Sequence, residues 1–370
     1  MKSKFLKRLS IVLIGAVLAS SLCGCTSSKA GIGTQTNDGN KVLFTYDGED
    51  VTLKEGWLYA KMTAAQLENT YKQYYGDSFW KMNMGENSNG EEITFEEYTK
   101  QDVITQIKQT IVLNKKAKDY NCKLTAAEKK QSIEAALSYY QSNDGREIMR
   151  ECGATREDIE KIYQDATIAS KVQNKIKKNA KVNVSEDEAR KTTIYRIVFS
   201  TTKTNAKGNV VNMNKKEKAV IKKKAERVLK DIKSGKKTLK EAAKERNYTN
   251  TKESYSSGQS EEGTKFEKEI KKLKDGQLTS NLLDCENGYV IAKLVAYTDK
   301  KETAANKKTL KEEKQKASFE KQYNSWTKKL EKNWSYKKDV NQKLWAQVSL
   351  SNNTAEATTA VKSNITEIKK

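Results

Sequence analysis

The eleven residues TTIYRIVFSTT, Thr192 to Thr202, decide the fold of the middle of the chain. In the run IYRIVF, apolar side chains fall on both faces of a strand, which is typical of a strand that is buried on both sides. Arg196 lies in the middle of this run. A charge in such a place needs partners or a route to water. The strand therefore predicts a structural arginine that is paired or reaches the sheet edge, with direct substrate contact as the alternative.

The residues after this strand predict a compact α+β unit of about a hundred residues. A boundary near Ser185 separates it from the preceding part of the chain, because the hydrophobic period changes there from helical to strand-like. Gly235 and the Asn287-Gly288 pair supply turns. The predicted elements are, in order, a basic helix from about Lys215 to Lys233, a short helix in TLKEAAKERN, loop-like sequence in YTNTKESYSSGQSEEG, a short helix in TKFEKEIKKLKDGQLTS, a candidate strand in QLTSNLL and a strong strand in NGYVIAKLVAY.

Residues 41–184 are predicted to be mostly helical. Val42 to Tyr46, with a return through Val51, indicate a small hairpin, and Thr52 follows as a candidate helix cap. Further helices are predicted from Phe95 to Tyr120, from Thr125 with Glu128 three residues on, and from Thr155, where apolar residues recur every three or four positions.

The chain returns to helix beyond Thr298. Aromatic side chains recur there at helical spacing, at Phe319, Tyr323 and Trp326. Large aromatics contribute most of the burial energy of a core, so we interpret this stripe as core packing, with a groove for unfolded polypeptides as the alternative. Residues 351–370 are polar and predict a loose tail.

The N-terminus has the pattern of an export signal. MKSKFLKRLS carries four basic residues and no acid, and IVLIGAVLAS is an apolar segment too short to span a bilayer permanently. The following SLCGC resembles the lipobox of bacterial lipoproteins. That resemblance implies that residues 1–24 are removed and that Cys25 becomes a lipidated N-terminus; the alternative is an ordinary cleaved signal followed by a chance cysteine. Residues 25–40 are predicted to be a flexible tether.

The composition excludes several kinds of site. The 370 residues contain neither histidine nor proline, so Ser-His-Asp triads, Cys-His dyads and imidazole metal ligands are excluded. Phosphate-binding glycine motifs are absent too, and we expect no cofactor and no metal. Besides Cys25, the mature chain has Cys122, Cys152 and Cys285, which leaves open a Cys122–Cys152 bridge or free buried thiols.

The net charge is strongly positive. It falls from +22 to +18 when residues 1–24 are removed. Lysines alternate with acids along most helices, as on a solvated face, but the long-range field would still attract anionic lipids or wall polymers. Because basic clusters are not interleaved with aromatics and the export signal places the chain outside the cytoplasm, we expect no nucleic-acid partner.

The segment from Ile194 to Val295 resembles the parvulin family of peptidyl-prolyl isomerases. IYRIVF is similar to the first strand of that family, FEKEIKKLKDGQLT to its F-E-x-x-x-x-x-L-K-x-G segment, and NGYVIAKL to its last strand. The whole mature chain resembles extracytoplasmic foldases, in which N- and C-terminal helical segments form one chaperone domain around an inserted parvulin domain. The resemblance implies an α+β fold with about four antiparallel strands and flanking helices in that inserted domain.

The same resemblance locates a site and shows how it has changed. The family's two histidines correspond to Arg196 and Val290, its substrate-pocket phenylalanine to Phe266, and an apolar pocket position to Glu262. Arginine offers only donors and valine no polar atom, so this pair cannot rebuild the histidine network. We hypothesise that Arg196 and Glu262 form an ion pair that blocks an apolar proline.

These observations predict a lipid-anchored, extracytoplasmic foldase or chaperone that assists newly exported polypeptides, with a parvulin-like domain of uncertain isomerase activity. A holdase without catalysis and a basic lipoprotein that binds envelope polymers are the alternatives. The predicted parts are residues 1–24 (signal peptide), 25–40 (tether), 41–184 (N-terminal chaperone segment), 185–300 (parvulin-like domain), 301–350 (C-terminal helix of the chaperone domain) and 351–370 (polar tail).

Overall fold

The computed structural model describes residues 36–86, 90, 92–245, 248–286 and 288–351. The described chain has an α+β fold and divides into two compact units. The first unit comprises the residues up to Ala180 together with those from Ser318 onwards, and the second is Lys181–Ala317. Cys25, the predicted signal peptide and the tail beyond residue 351 lie outside the described residues.

The first unit opens with an antiparallel hairpin and continues as helices. The hairpin pairs β1 with β2 through Phe44 and Val51, with a turn at Asp47-Gly48. The elements up to Ala180 are β1 (Val42–Tyr46), β2 (Glu49–Thr52), α1 (Leu53–Tyr75), a 3-10 helix (Gly76–Lys81), β3 (Asn83–Glu86), β4 (Glu92–Thr94), α2 (Phe95–Lys115), α3 (Ala126–Gln141), α4 (Asn143–Cys152) and α5 (Arg156–Asn179).

Local capping sets the start of these helices. The Thr52 hydroxyl accepts the backbone N–H of Glu55 at the start of α1, as predicted. At Thr125 and Glu128 a full capping box opens α3, because each side chain bonds the backbone N–H of the other. Thr155 opens α5 in the same way. Each cap satisfies backbone donors that a helix leaves unpaired.

The core of the first unit is rich in aromatic residues. Trp57, Trp80 and Trp345 are all buried in it. Phe319 is buried against α2 and α5 residues, and Tyr323 and Trp326 pack partly buried beside it. The structure therefore confirms that this stripe is core packing.

A buried lysine joins the early and late segments of the first unit. Lys108 Nζ lies 3.5 Å from the ring centroid of Trp334 and 2.8 Å from a carboxylate oxygen of Glu331. The Tyr46 hydroxyl donates a hydrogen bond of 2.5 Å to the same carboxylate. The cation is thus held by a ring face and an ion pair together.

The second unit contains a four-stranded sheet with helices. Its elements, followed by the helices that complete the chain, are α6 (Glu186–Ala189), β5 (Thr192–Ser200), β6 (Thr202–Thr204), β7 (Val210–Asn212), α7 (Lys215–Lys233), α8 (Leu239–Glu245), β8 (Thr251–Tyr255), α9 (Gly263–Ile270), β9 (Leu283–Cys285), β10 (Gly288–Ala296), α10 (Lys300–Asn333), α11 (Tyr336–Asp339) and α12 (Gln342–Trp345). The bounds of α7 are those predicted, and Gly235 follows its end in a left-handed conformation with φ 74°.

The sheet has the strand order β8-β5-β10-β9, and every neighbouring pair is antiparallel. The predicted number of strands is confirmed, but two placements were wrong. Thr251–Tyr255 was predicted as loop, yet it forms an edge strand through backbone pairing with β5, which does not require apolar side chains. QLTSNLL was predicted as a strand, yet β9 begins only at its last residue, Leu283, and Leu278 makes a single bridge to Lys293.

The two faces of the sheet bury different helices. Ile197, Phe199 and Ile291 pack with residues of α7 and α8 on one face. Ile194 and Val290 pack on the other face with residues of α9. Strand β5 is thus covered on both sides, as the apolar pattern around Arg196 predicts.

Two further observations concern the rest of the described chain. Cys122, Cys152 and Cys285 are all free, so the Cys122–Cys152 bridge does not form. Within the described ranges, we find no helix with the length and apolar character needed to cross a bilayer.

Candidate functional site

Arg196 lies at the centre of the sheet on the face that packs against α9. Its register partners are Ala292 on β10 and Thr251 on β8. Side chains directly opposite each other in an antiparallel pair share a face, and the diagonal positions lie next to them. Val290 and Glu253 hold those diagonal positions, on either side of the Arg196 side chain.

Three carboxylates surround the Arg196 guanidinium. Nε donates to Glu253 at 2.7 Å, while Nη1 donates to Glu262 and Nη2 to Glu261. The hypothesised Arg196–Glu262 pair is therefore confirmed. The arginine side chain is only 7% exposed, and the planar guanidinium directs each nitrogen at a different acid. Burial opposes the charge, but the attraction of Glu253 and Glu262 outweighs it and raises the arginine pKa.

Glu262 is the most deeply buried of the three acids. Its side chain is 2% exposed, and one carboxylate oxygen, Oε2, has no hydrogen-bond partner. Burial raises the pKa of Glu262 above its ordinary value, although Arg196 pulls it down. Glu261, by contrast, is mostly exposed. The tight buried contact of the cluster is therefore Arg196 with Glu262 and Glu253.

The loop between β8 and α9 is fixed by carboxylates. Glu267 accepts the backbone N–H groups of Gly258 and Ser260, both at 2.8 Å. Glu253 accepts the backbone N–H of Glu261 at 3.3 Å in addition to its bond with Arg196. These bonds tie the loop that carries Glu261 and Glu262 to β8 and α9.

The two apolar positions of the site are closed to solvent. Phe266 is 1% exposed and Val290 is 0% exposed, and both belong to one apolar cluster with Tyr255 and Ile270. Cys285 packs partly buried against that cluster, and burial raises its pKa to about 12. A thiol with this pKa is protonated near neutral pH and is therefore a poor nucleophile.

All four positions singled out from the sequence meet at this face. Arg196, Glu262, Phe266 and Val290 lie on β5, at the start of α9, on α9 and on β10. Glu253 and Glu261 were not foreseen. Glu261 could have been found from the sequence because it lies next to Glu262. Glu253 could not, because its place beside Arg196 follows only once β8 is known to be a strand.

The geometry of the site fits a bonded cluster of charges better than a pocket for prolyl isomerisation. Isomerisation needs an apolar pocket that stabilises a twisted amide against a barrier of about 18–20 kcal/mol. Here each guanidinium nitrogen donates to an acid, and the apolar side chains of Phe266 and Val290 are buried. No set of acids or cysteines arranged to hold a metal ion is found among the described residues.

Comparison with known proteins agrees with this fold. Residues 197–296 match the family model called Rotamase, the PPIC-type PPIASE domain. No curated protein matches the chain in sequence.

Several solved structures are similar to the chain at low identity. Peptidylprolyl isomerase (PrsA) from Bacillus cereus is 18% identical, with 72% of this chain and 99% of that one covered and a TM-score of 0.28. A SurA-like chaperone from Campylobacter jejuni is 11% identical, with coverage of 78% and 97% and a TM-score of 0.28. PrsA from Bacillus subtilis is 16% identical, with coverage of 82% and 96% and a TM-score of 0.21.

TM-scores this low carry no argument about overall arrangement or function, so the assignment depends on the domain match. That match confirms the parvulin-type prediction for the second unit. The chain contains a PPIC-type PPIase domain, which occupies residues 197–296.

Proposed function

We propose that this chain is a membrane-anchored, extracytoplasmic chaperone for exported polypeptides, and that its PPIC-type domain does not catalyse prolyl isomerisation. The absence of catalysis is supported by the Arg196 cluster, in which one guanidinium binds three carboxylates, two of them from the loop between β8 and α9. Phe266 and Val290 are closed to solvent, so a substrate proline could touch them only after the packing around them had opened.

Exposed apolar side chains on the first unit support the chaperone part. Ile133, Leu137 and Tyr140 follow one another on α3 at steps of four and three and are each 38–41% exposed. That spacing places them on one face of the helix. Contiguous exposed apolar surface is typical of sites that bind other polypeptides. These three residues, the α3 stripe, are the surface that we assign to unfolded chains.

The export pattern supports the location. A basic segment, a short apolar segment and a lipobox-like SLCGC follow one another at the N-terminus, and Cys25 is the residue that would carry the lipid. A single acyl chain binds a membrane only weakly, so a multiply acylated cysteine is the adequate anchor. The net charge makes anionic lipids or wall polymers candidate further partners.

Suppression of aggregation tests the chaperone function. The purified full chain is mixed with a chemically denatured protein of near-neutral charge, and light scattering is followed on dilution. We expect the chain to suppress scattering in both low and high salt, since apolar contacts are not screened. Replacing the α3 stripe with I133S, L137S and Y140S should remove most of this effect.

A matched control uses exposed apolar residues of the second unit. Val210 and Val220 are 71% and 54% exposed, and V210S with V220S should leave suppression unchanged. Equal loss in both variants, or suppression that vanishes in salt, would contradict the proposal.

Fatty-acid labelling in cells tests the anchor. A palmitate analogue should label the wild-type chain and the C122A variant, and it should not label C25A. Labelling that persists in C25A would contradict lipidation at Cys25.

A further inference from the structure

A groove lies on the second unit between α7 and the segment that precedes β9. Its volume is about 680 Å³, and its polar lining includes Lys222, Glu226, Lys230, Lys233, Ser280 and Asn281. The α7 residues recur at steps of four, four and three, so they form one line along the helix. We call this feature the lysine groove.

The groove carries an excess of positive charge that the protein does not neutralise. Three lysines face one acid there, Glu226. Among the described residues, Lys222 and Lys230 have no ion-pair partner. Lys233 donates one bond, at 3.0 Å, to the backbone carbonyl of Ser280, and an ammonium has three donors. Cationic donors therefore remain available along the groove.

We propose that the lysine groove binds a linear polymer that carries one phosphate in each repeat. The cations extend along α7 from Lys222 to Lys233, a distance of about 16 Å at the rise of an α-helix. A single phosphate cannot contact both ends of such a line, whereas a chain of phosphates can. All three cations are lysines, which bind phosphate as point charges.

The lining of the groove favours a polymer over insertion into a membrane. The three lysines are exposed beside Ser280 and Asn281, whereas the apolar lining residues Leu229 and Leu282 are buried or half-buried. Insertion into a bilayer would need exposed apolar side chains, which the lining of the groove does not offer. The Ser280 and Asn281 side chains add neutral hydrogen-bonding groups that a phosphate polymer can use.

Two features oppose anion binding and set its strength. The groove lies towards the C-terminal end of α7, where the helix dipole is negative. Glu226 adds a negative charge between Lys222 and Lys230. We therefore expect binding that depends on several phosphates at once and that weakens steeply with salt. This proposal depends on the proposed function only in placing the polymer in the cell envelope. Chaperone activity is assayed separately.

Binding of inorganic polyphosphate to the purified full chain tests the proposal. Titration calorimetry is run at several salt concentrations with the wild type and with K222Q/K230Q/K233Q. We expect the triple variant to bind at least about ten-fold more weakly. The slope of log K against log salt should fall by about 2, since three contacts are lost at about 0.7 each.

A charge-matched variant separates the groove from general electrostatics. Lys216, Lys224 and Arg227 are exposed on α7, and a rotation of 100° per residue places them away from the groove. K216Q/K224Q/R227Q removes the same charge, and it should weaken binding by less than about three-fold. A gain-of-binding variant guards against misfolding: E226Q should tighten binding by about two- to three-fold.

The outcomes are distinct. Selective loss in the groove variant together with tighter binding by E226Q supports the proposal. Equal loss in both triple variants would overturn it, because the attraction would then be diffuse. Equal affinity for polyglutamate would overturn the phosphate assignment. Groove-dependent binding to phosphatidylglycerol vesicles but not to polyphosphate would assign the groove to the membrane instead.

Discussion

Replacing Arg196 with methionine tests the buried cluster at its centre. R196M keeps a long, unbranched side chain but removes the charge that binds three acids. Glu262, whose side chain is 2% exposed, would then be a buried carboxylate without a cation. The acids outnumber the arginine, so no other bond within the cluster compensates for its loss.

The expected cost follows from that burial. Removing one partner of a buried ion pair destabilises a protein by about 3–5 kcal/mol. The pair with Glu261 adds little to this loss of stability, because Glu261 is mostly exposed. For a unit of this size, the loss corresponds to a fall in Tm of about 10–20 °C. It should accelerate amide exchange in the sheet by about 10²- to 10⁴-fold when exchange follows unfolding of the unit.

Hydrogen exchange read by mass spectrometry measures the effect in the right unit. All five tryptophans, Trp57, Trp80, Trp326, Trp334 and Trp345, lie in the first unit. Their fluorescence in urea therefore reports unfolding of the first unit, and the unfolding curve of R196M should match that of the wild type. Exchange in peptides from β5 and β10 reports the second unit and should accelerate. R227M makes the same substitution at an exposed site and should change stability by less than about 0.5 kcal/mol.

A second substitution and a change of pH test the cause. R196M/E262M replaces the pair with apolar groups and should recover most of the lost stability.

Burial raises the pKa of Glu262 in the folded state above its ordinary 4.5, and loss of Arg196 raises it further. An acid with a raised folded pKa favours folding at low pH and loses that contribution as pH rises through the folded value. The R196M deficit should therefore be largest at pH 7 and shrink towards pH 4.5. A deficit below about 1 kcal/mol, or one independent of pH, would refute a buried charge cluster.

Three further predictions concern other parts of the chain. The hydrogen bond from Lys171 is the main cause that lowers the pKa of Glu128 to about 2. In urea titrations, K171M should therefore destabilise the first unit above pH 4.5 and reduce the loss of stability that the wild type shows between pH 4.5 and 2. An unchanged dependence of stability on pH would refute this ion pair. Cys285 should react with iodoacetamide at pH 8 at least about ten-fold more slowly in the native chain than in urea, and equal rates would refute its raised pKa of about 12. T155A should lower the free energy of unfolding of the first unit by about 1 kcal/mol, with T155S as the control that keeps the cap.

Features set by neighbouring residues were predictable from the sequence. The caps at Thr52 and Thr125 and the bounds of α7 depend on contacts within a few positions. The burial of β5 follows from its apolar pattern on both faces. The family resemblance added the position of the site, which periodicity alone does not supply.

Features set by strand register were not predictable in the same way. Strand β8 has the polar sequence TKESY and forms because its backbone pairs with β5, so the sequence appeared loop-like. Glu253 was missed for that reason, since only this register brings it beside Arg196. The backbone bonds that hold the loop to Glu267 likewise depend on how that loop folds.

A protease-coupled assay with proline-containing tetrapeptides tests the central claim most directly. We expect the purified full chain to leave the rate of prolyl isomerisation at its uncatalysed value, while an active parvulin measured alongside accelerates it. Acceleration by this chain that approaches the parvulin rate would contradict the claim that the Arg196 cluster closes the site.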